Sequence, residues 1–74
     1  MPQYELEGVG PAGFAGLARG RTPEEAVRQA GGFPAEATIE VQPAPDPQGW
    51  HEVRASGRPA GRLRLHQRMR FRRD

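Results

Sequence analysis

The chain has 74 residues, no cysteine and a formal net charge of +2. This length predicts one domain over residues 1–74 with a small core, because so short a chain buries only about 60% of its unfolded surface. The lack of cysteine excludes disulfides and thiolate metal sites within the chain. The sequence starts without the basic and apolar regions of a signal peptide, and no apolar run approaches the roughly 20 residues that span a bilayer. We therefore expect a cytoplasmic protein with no membrane partner.

Charge is divided unevenly along the chain. All 11 basic residues are arginines. Residues 1–49 contain three arginines and seven acidic residues, whereas residues 50–74 contain eight arginines and two acidic residues. The small net charge thus combines an acidic first part with a strongly basic last part. Such an asymmetry bears on binding partners rather than on the fold.

The first part of the chain predicts a β-hairpin followed by a short helix. Alternating apolar and acidic residues, then glycine and proline at 10–13, then a second apolar stretch predict a hairpin over residues 3–20. Thr22 and Glu25 have the spacing of a capping box, which predicts a helix over 23–30, ended by the two glycines that follow.

The second part of the chain predicts three more strands. They cover residues 37–42, 50–55 and 62–72 and are separated by a proline-rich loop at 43–49 and a turn at 56–61. The predicted order is β-β-α-β-β-β. This order predicts an α+β fold, a small antiparallel sheet of about five strands with one short helix packed on one face.

The last predicted strand alternates basic and mainly apolar side chains. In a strand this alternation puts the apolar row on the core and the basic row on the opposite face. Neighbouring charges of the basic row are about 6.8 Å apart, or roughly two nucleotide rises of one DNA strand, so successive guanidiniums could follow a phosphate backbone. The basic row consists of Arg62, Arg64, His66, Arg68, Arg70 and Arg72.

The fourth predicted strand adds an aromatic side chain to the same face. If Val53 packs in the core beside Leu63, then Trp50 and Arg54 share the face of the basic row. An indole on a basic sheet face can stack on the bases of single-stranded nucleic acid, but it can equally form an internal cation–π contact with an arginine. The candidate nucleic-acid-binding residues are therefore Trp50, Arg54, Arg62, Arg64, Arg68, Arg70 and Arg72.

The basic row has a second interpretation that needs no ligand. Edge strands often carry charge that blocks aggregation, and acidic residues on the same face could neutralise arginines across the sheet. The acidic residues predicted to point outward are Glu5, Glu7, Glu40 and Glu52. Under this interpretation the row is a solvated or internally paired surface.

The sequence contains no recognisable catalytic or metal centre. Ser56 lies in a predicted turn without a histidine to activate it. His51 and His66 are predicted on opposite faces of the sheet, the first half-buried and the second solvated, so they do not form a metal pair. The glycines of residues 8–13 lack the spacing and the following helix of a phosphate-binding loop. We expect a protein that is not an enzyme and uses no cofactor or metal.

One segment is similar to a known family. Residues from Gly13-Phe14 to Thr22-Pro23-Glu24-Glu25-Ala26 resemble the junction between strand and helix in HicB-type antitoxins. The likeness covers less than a fifth of the chain. The chain lacks the extra strand that this family places before the helix, and it has no helical DNA-binding tail.

Two functions are compatible with the sequence. The first is a small nucleic-acid-binding accessory protein, for DNA or RNA, that uses the arginine-rich outer face of the last two strands. The alternative is a protein-interaction module, a small regulator, inhibitor or antitoxin-like subunit, that docks on an acidic protein partner. A homodimer formed through the fifth strand would be compatible with either function.

Overall fold

The computed structural model describes residues 1–66, which form one sheet and one helix. The elements are β1 (Gln3–Val9), β2 (Phe14–Arg19), α1 (Pro23–Gly31), β3 (Ile39–Val41), β4 (His51–Ala55) and β5 (Arg58–Leu65). The strand order is β2-β1-β5-β4-β3, and each neighbouring pair is antiparallel. The predicted α+β fold and element order are confirmed.

Helix α1 begins at the predicted residue, Pro23, and ends at Gly31, one residue beyond the prediction. The Thr22 hydroxyl accepts a hydrogen bond from the Glu25 amide at 3.1 Å, and the Glu25 carboxylate accepts one from the Arg21 amide at 2.6 Å. Two of the free amide groups near the helix start are thereby satisfied. Gly32, with a φ of 70°, ends the helix in the left-handed conformation that glycine adopts without strain.

The hydrophobic core lies between α1 and one face of the sheet, which we call the inner face. Ala26 and Val27 of the helix are fully buried there. The sheet contributes the buried residues Tyr4, Leu6, Val9, Val53 and Leu63, and Phe33 packs against this cluster just after the helix. A nine-residue helix is marginal by itself, so its stability depends on this packing.

The connection between β4 and β5 is shorter than predicted. A turn over 56–61 is wrong, because β5 already begins at Arg58. Ser56 and Gly57 alone make the turn, with φ values of 51° and 81°. Two successive positive φ angles are typical of the type I′ turn, whose twist matches that of the strands it joins.

A β-bulge on β5, just after this turn, changes which side chains of the strand point to the inner face. The register runs from Glu52 opposite Arg62 to Arg54 opposite Pro59, so β5 contains one more residue than β4 in this interval. Gly61 has a φ of 115° within the bulge. The bulge changes the alternation, and Ala60 consequently packs against the core.

The charged strand β5 lies in the middle of the sheet. It pairs with β1 on one side and with β4 on the other, whereas β2 and β3 are the edge strands of the described residues. The edge-strand explanation of its charge is therefore wrong. Edge-to-edge pairing of two copies along Arg58–Leu65 is not possible for the same reason, since both sides of that segment are already paired. The predicted continuation of this strand to residue 72 lies outside the described residues, as do Arg68, Arg70 and Arg72.

Candidate nucleic-acid interface

The candidate site is the outer face of the sheet, the face opposite α1. Residues directly opposite each other on paired strands point to the same face. The register places Glu5 opposite Arg64, Glu7 opposite Arg62, and Glu52 opposite Arg62 on its other side. The structure thus brings together four of the predicted site residues, Trp50, Arg54, Arg62 and Arg64, and intersperses them with carboxylates.

Two cross-strand ion pairs join β1 to β5, and we call them the β1–β5 ladder. The Arg64 Nε–H group donates to a Glu5 carboxylate oxygen at 2.8 Å, and Arg62 donates in the same way to Glu7. The Arg64 and Glu5 side chains are each 37% exposed. Ion pairs this accessible contribute about 0–1 kcal/mol each to stability. Their clearer effect is electrostatic, because each arginine already has an anionic partner.

Trp50 lies beneath the guanidinium groups of the ladder. The Cζ atoms of Arg62 and Arg64 are each 4.3 Å from the centroid of the indole ring, and Trp50 is only 7% exposed. Of the two arrangements that the sequence allows, the structure has the internal cation–π contact. The indole therefore supports the two arginines and, as positioned, offers little surface to a base.

Asp46 fixes the backbone where the chain enters β4. Its carboxylate accepts hydrogen bonds from the amides of Gln48 at 2.8 Å and Trp50 at 2.9 Å, and its own amide donates to the Trp50 carbonyl at 2.8 Å. The proline-rich loop thus has an ordered end that positions the indole. This role of Asp46 is not among the predictions made from the sequence. The available signal was an aspartate in a Pro/Gly-rich segment, which is typical of an Asx turn.

The pKa of the Asp46 carboxyl group is lowered, chiefly by the hydrogen bond from the Trp50 amide. Hydrogen bonds from Gln48 and Gly49 and the nearby Arg62 charge act in the same direction, and partial desolvation opposes them. A folded-state pKa below the unfolded value means that the stabilisation is complete above the ordinary carboxyl pKa. It is lost as the pH falls through the lowered value.

We expect acid to release this turn through protonation of Asp46. NMR spectra recorded between pH 7 and pH 2 should show the Trp50 amide resonance moving with a midpoint below the ordinary aspartate value. In Asp46→Ala this titration should disappear, because the acceptor is absent. A Trp50 amide resonance with the same acid titration in both proteins would contradict the assignment.

Arg54 occupies the outer face nearer the edge strand β3. Its guanidinium lies 3.6 Å from the Glu52 carboxylate on the same strand, and Glu40 of β3 is directly opposite it. The Arg54 Nε atom is buried and makes no hydrogen bond. Arg54 is thus also near acidic groups, and all three described arginines of the predicted site have a carboxylate within ion-pair distance.

The two histidines form hydrogen bonds with backbone groups, and both line a cavity that also includes Glu5 and Arg64 of the ladder. His51 is half-buried as predicted, and its Nδ1 atom is 2.7 Å from the Gln42 carbonyl oxygen. The His66 amide donates to the Gln3 carbonyl, and His66 is half-buried rather than solvated. Among residues 1–66 there is no cluster of three or more His, Asp or Glu side chains that could bind a metal ion.

The described residues carry no excess positive charge. Residues 1–66 contain seven arginines and eight acidic residues, whereas residues 67–74 contain four arginines and one aspartate. The outer face mirrors this balance, because its arginines alternate with Glu5, Glu7, Glu40 and Glu52. The predicted neutralisation of arginines by acidic residues across the sheet is confirmed for Glu5 and Glu7.

Comparisons with known proteins do not place the chain in a family. No family model matches it, and no similar curated protein or solved structure was found. Over residues 1–66 the structure contains no helix with the length and apolar character needed to cross a membrane.

Proposed function

We propose that the chain is a non-enzymatic nucleic-acid-binding accessory protein whose phosphate contacts are made chiefly by the basic segment 67–74. The observation that supports this assignment is the pairing of charge on the outer face. Arg62 and Arg64 already donate to carboxylates, so the positive excess of the chain resides in Arg68, Arg70, Arg72 and Arg73.

The release of counterions favours segment 67–74 over the ladder as the main phosphate contact. Nucleic-acid affinity at low salt comes largely from the release of condensed cations when a protein cation approaches a phosphate. An arginine paired with a glutamate brings less net charge to a phosphate, because the carboxylate repels the same anion. The ladder is then a secondary contact, and the segment 67–74 supplies most of the electrostatic attraction. Such contacts position a protein on nucleic acid without reading its sequence.

The test measures how binding depends on salt. Fluorescence anisotropy with a labelled single-stranded oligonucleotide, in 20 to 200 mM KCl, should give a log–log slope of about 3 if four arginines make the contacts, since each contributes about 0.7. Contacts from all six predicted arginines would raise the slope to about 4. A duplex of the same sequence shows whether the chain prefers either form.

A charge-matched pair of variants locates the contacts. Arg68→Ala/Arg70→Ala should lower the slope by about 1.4 and weaken binding at low salt, because two phosphate contacts are removed. Arg21→Ala/Arg58→Ala removes the same charge from exposed positions elsewhere and should leave the slope nearly unchanged. No binding at 20 mM KCl, or equal losses in both variants, would contradict the proposed role of segment 67–74.

A second candidate is a protein-interaction module, and the mixed charge of the outer face favours it. An exposed sheet surface on which Glu5, Arg64, Glu7 and Arg62 alternate can complement a protein surface with charges of both signs, whereas a polyanion meets repulsion from the two glutamates. An alternating glutamate–lysine peptide is a simple probe of a partner surface with charges of both signs. A protein-interaction module should bind this peptide equally well with and without excess competitor DNA, whereas a nucleic-acid-binding protein should lose it to the DNA.

A further inference from the structure

We infer that a second copy of this chain pairs antiparallel with β2, whose outer edge is unpaired among residues 1–66, and extends the sheet across a two-fold axis. This inference is independent of nucleic-acid binding, because it rests on the main-chain edge of β2, and it meets the β1–β5 ladder only at Glu7. It is carried by the direction of the main-chain groups of β2, by an exposed leucine on its outer face and by an edge that is longer than that of β3 and free of proline.

The hydrogen-bond pattern shows which main-chain groups of β2 point away from the sheet. The His66 amide donates to the Gln3 carbonyl, and the Gly20 amide donates to the Pro2 carbonyl. Successive residues of an antiparallel strand direct these groups alternately to the two sides. Tyr4 and Leu6 therefore bond to their β2 partners Ala18 and Gly16. The amide and carbonyl groups of the intervening β2 residues consequently point to the open edge. They belong to Ala15, Leu17 and Arg19.

This spacing is self-complementary. If Leu17 lies on a two-fold axis, it is opposite Leu17 of the second copy, and Ala15 is opposite Arg19 of the second copy. All three outward-pointing residues then form hydrogen-bonded pairs, about six main-chain bonds in total. The alternative axis at Gly16 would leave the groups of Arg19 unpaired. A two-fold axis at Leu17 thus gives the register in which all the outward-pointing amide and carbonyl groups of β2 are paired.

Side chains on the outer face support the same register. Leu17 is opposite Glu5, which places it on the outer face, and it is 48% exposed. At the two-fold axis the two Leu17 side chains would cover each other. Glu7 and Gly8 are opposite Ala15, so Arg19 of one copy faces Glu7 of the other across a small alanine. Two strand spacings amount to about 9.6 Å, a distance that an arginine and a glutamate side chain together can span.

The two edges of the described sheet differ in protection. Strand β3 has three residues and is followed by Pro43, and short strands and prolines discourage pairing. Strand β2 has six residues, no proline, and its only charge at Arg19. An interface of one strand per copy is small, so we expect a dissociation constant on the order of 10–100 µM.

Sedimentation equilibrium and disulfide trapping test the inference. The full chain should change from monomer to dimer between about 1 µM and 1 mM. Leu17→Lys should remain monomeric, because like charges would then be opposite each other at the axis. In the cysteine-free background, Leu17→Cys should oxidise to a covalent dimer, since hydrogen-bonded pairs have Cα atoms about 5.5 Å apart, within the disulfide range.

The matched control is Leu65→Cys, because Leu65 is 50% exposed and lies on the central strand. We expect Leu17→Cys to form dimers at least about tenfold faster at 50 µM, a difference that equal exposure cannot produce. A chain that stays monomeric up to 1 mM would overturn the inference. Equal oxidation rates of the two cysteine variants would overturn it as well.

Discussion

Gly61→Ala is expected to destabilise the chain by about 3 kcal/mol, which is much of the stability of a domain this small. A Cβ atom at this position would lie 2.7 Å from both the Gly8 carbonyl oxygen and the Val9 Cα atom, and both are backbone atoms. The φ of 115° adds strain for any residue with a side chain. Since the bulge at Gly61 lets β5 approach β1 closely, relief would require these two central strands to separate.

Gly49→Ala is the control for this variant. Gly49 also has a positive φ, 90°, but a Cβ atom there would meet nothing within 4 Å. Its expected cost is about 1 kcal/mol, from backbone strain alone. Urea and thermal unfolding are followed by the fluorescence of Trp50, the only tryptophan, and the melting temperature should fall by about 4–8 °C for each kcal/mol. Equal losses in the two variants would show that the close approach of β5 to β1 is unimportant.

Leu63→Ala is expected to cost about 3 kcal/mol, because it removes a side chain from the centre of the core. Leu63 is 2% exposed, lies on the central strand and is opposite Leu6 on β1 and His51 on β4. The neighbouring strands fix its surroundings on both sides, so little relaxation can fill the space that the variant leaves. Unfolding in urea, again followed by Trp50 fluorescence, should show a lower midpoint with a similar slope.

Leu65→Ala is the control for this variant, because Leu65 lies on the same strand, two residues further along, but is half exposed. The two leucines point to the same face of the strand, so the comparison isolates the effect of burial. Its replacement should cost less than about 1 kcal/mol. If the two leucine variants were equally destabilised, the core would not be centred at Leu63 as the structure has it.

The sequence predicted which residues make up the candidate site, but it did not identify which glutamate pairs with which arginine. Alternation along residues 62–65 correctly placed Arg62 and Arg64 on one face and Leu63 in the core. Residue parity likewise placed Trp50 beside the arginines. The partners of the arginines could not be read in the same way, because Glu7 and Glu5 are 55 and 59 residues away in sequence. Arg62 and Arg64 are neutralised only because β1 pairs with β5 and brings Glu7 and Glu5 next to them.

The sequence by itself determined the local elements and their order. Capping residues and glycines define α1, and a two-residue apolar period defines the strands, because both depend on neighbours a few residues apart. Within residues 1–66, the tertiary structure alone decided that β5 is central, that Trp50 lies beneath two guanidiniums, and that β2 is an edge strand. Each of these features depends on which distant strands become neighbours, and the free energy that selects this arrangement is shared among contacts that no local pattern encodes.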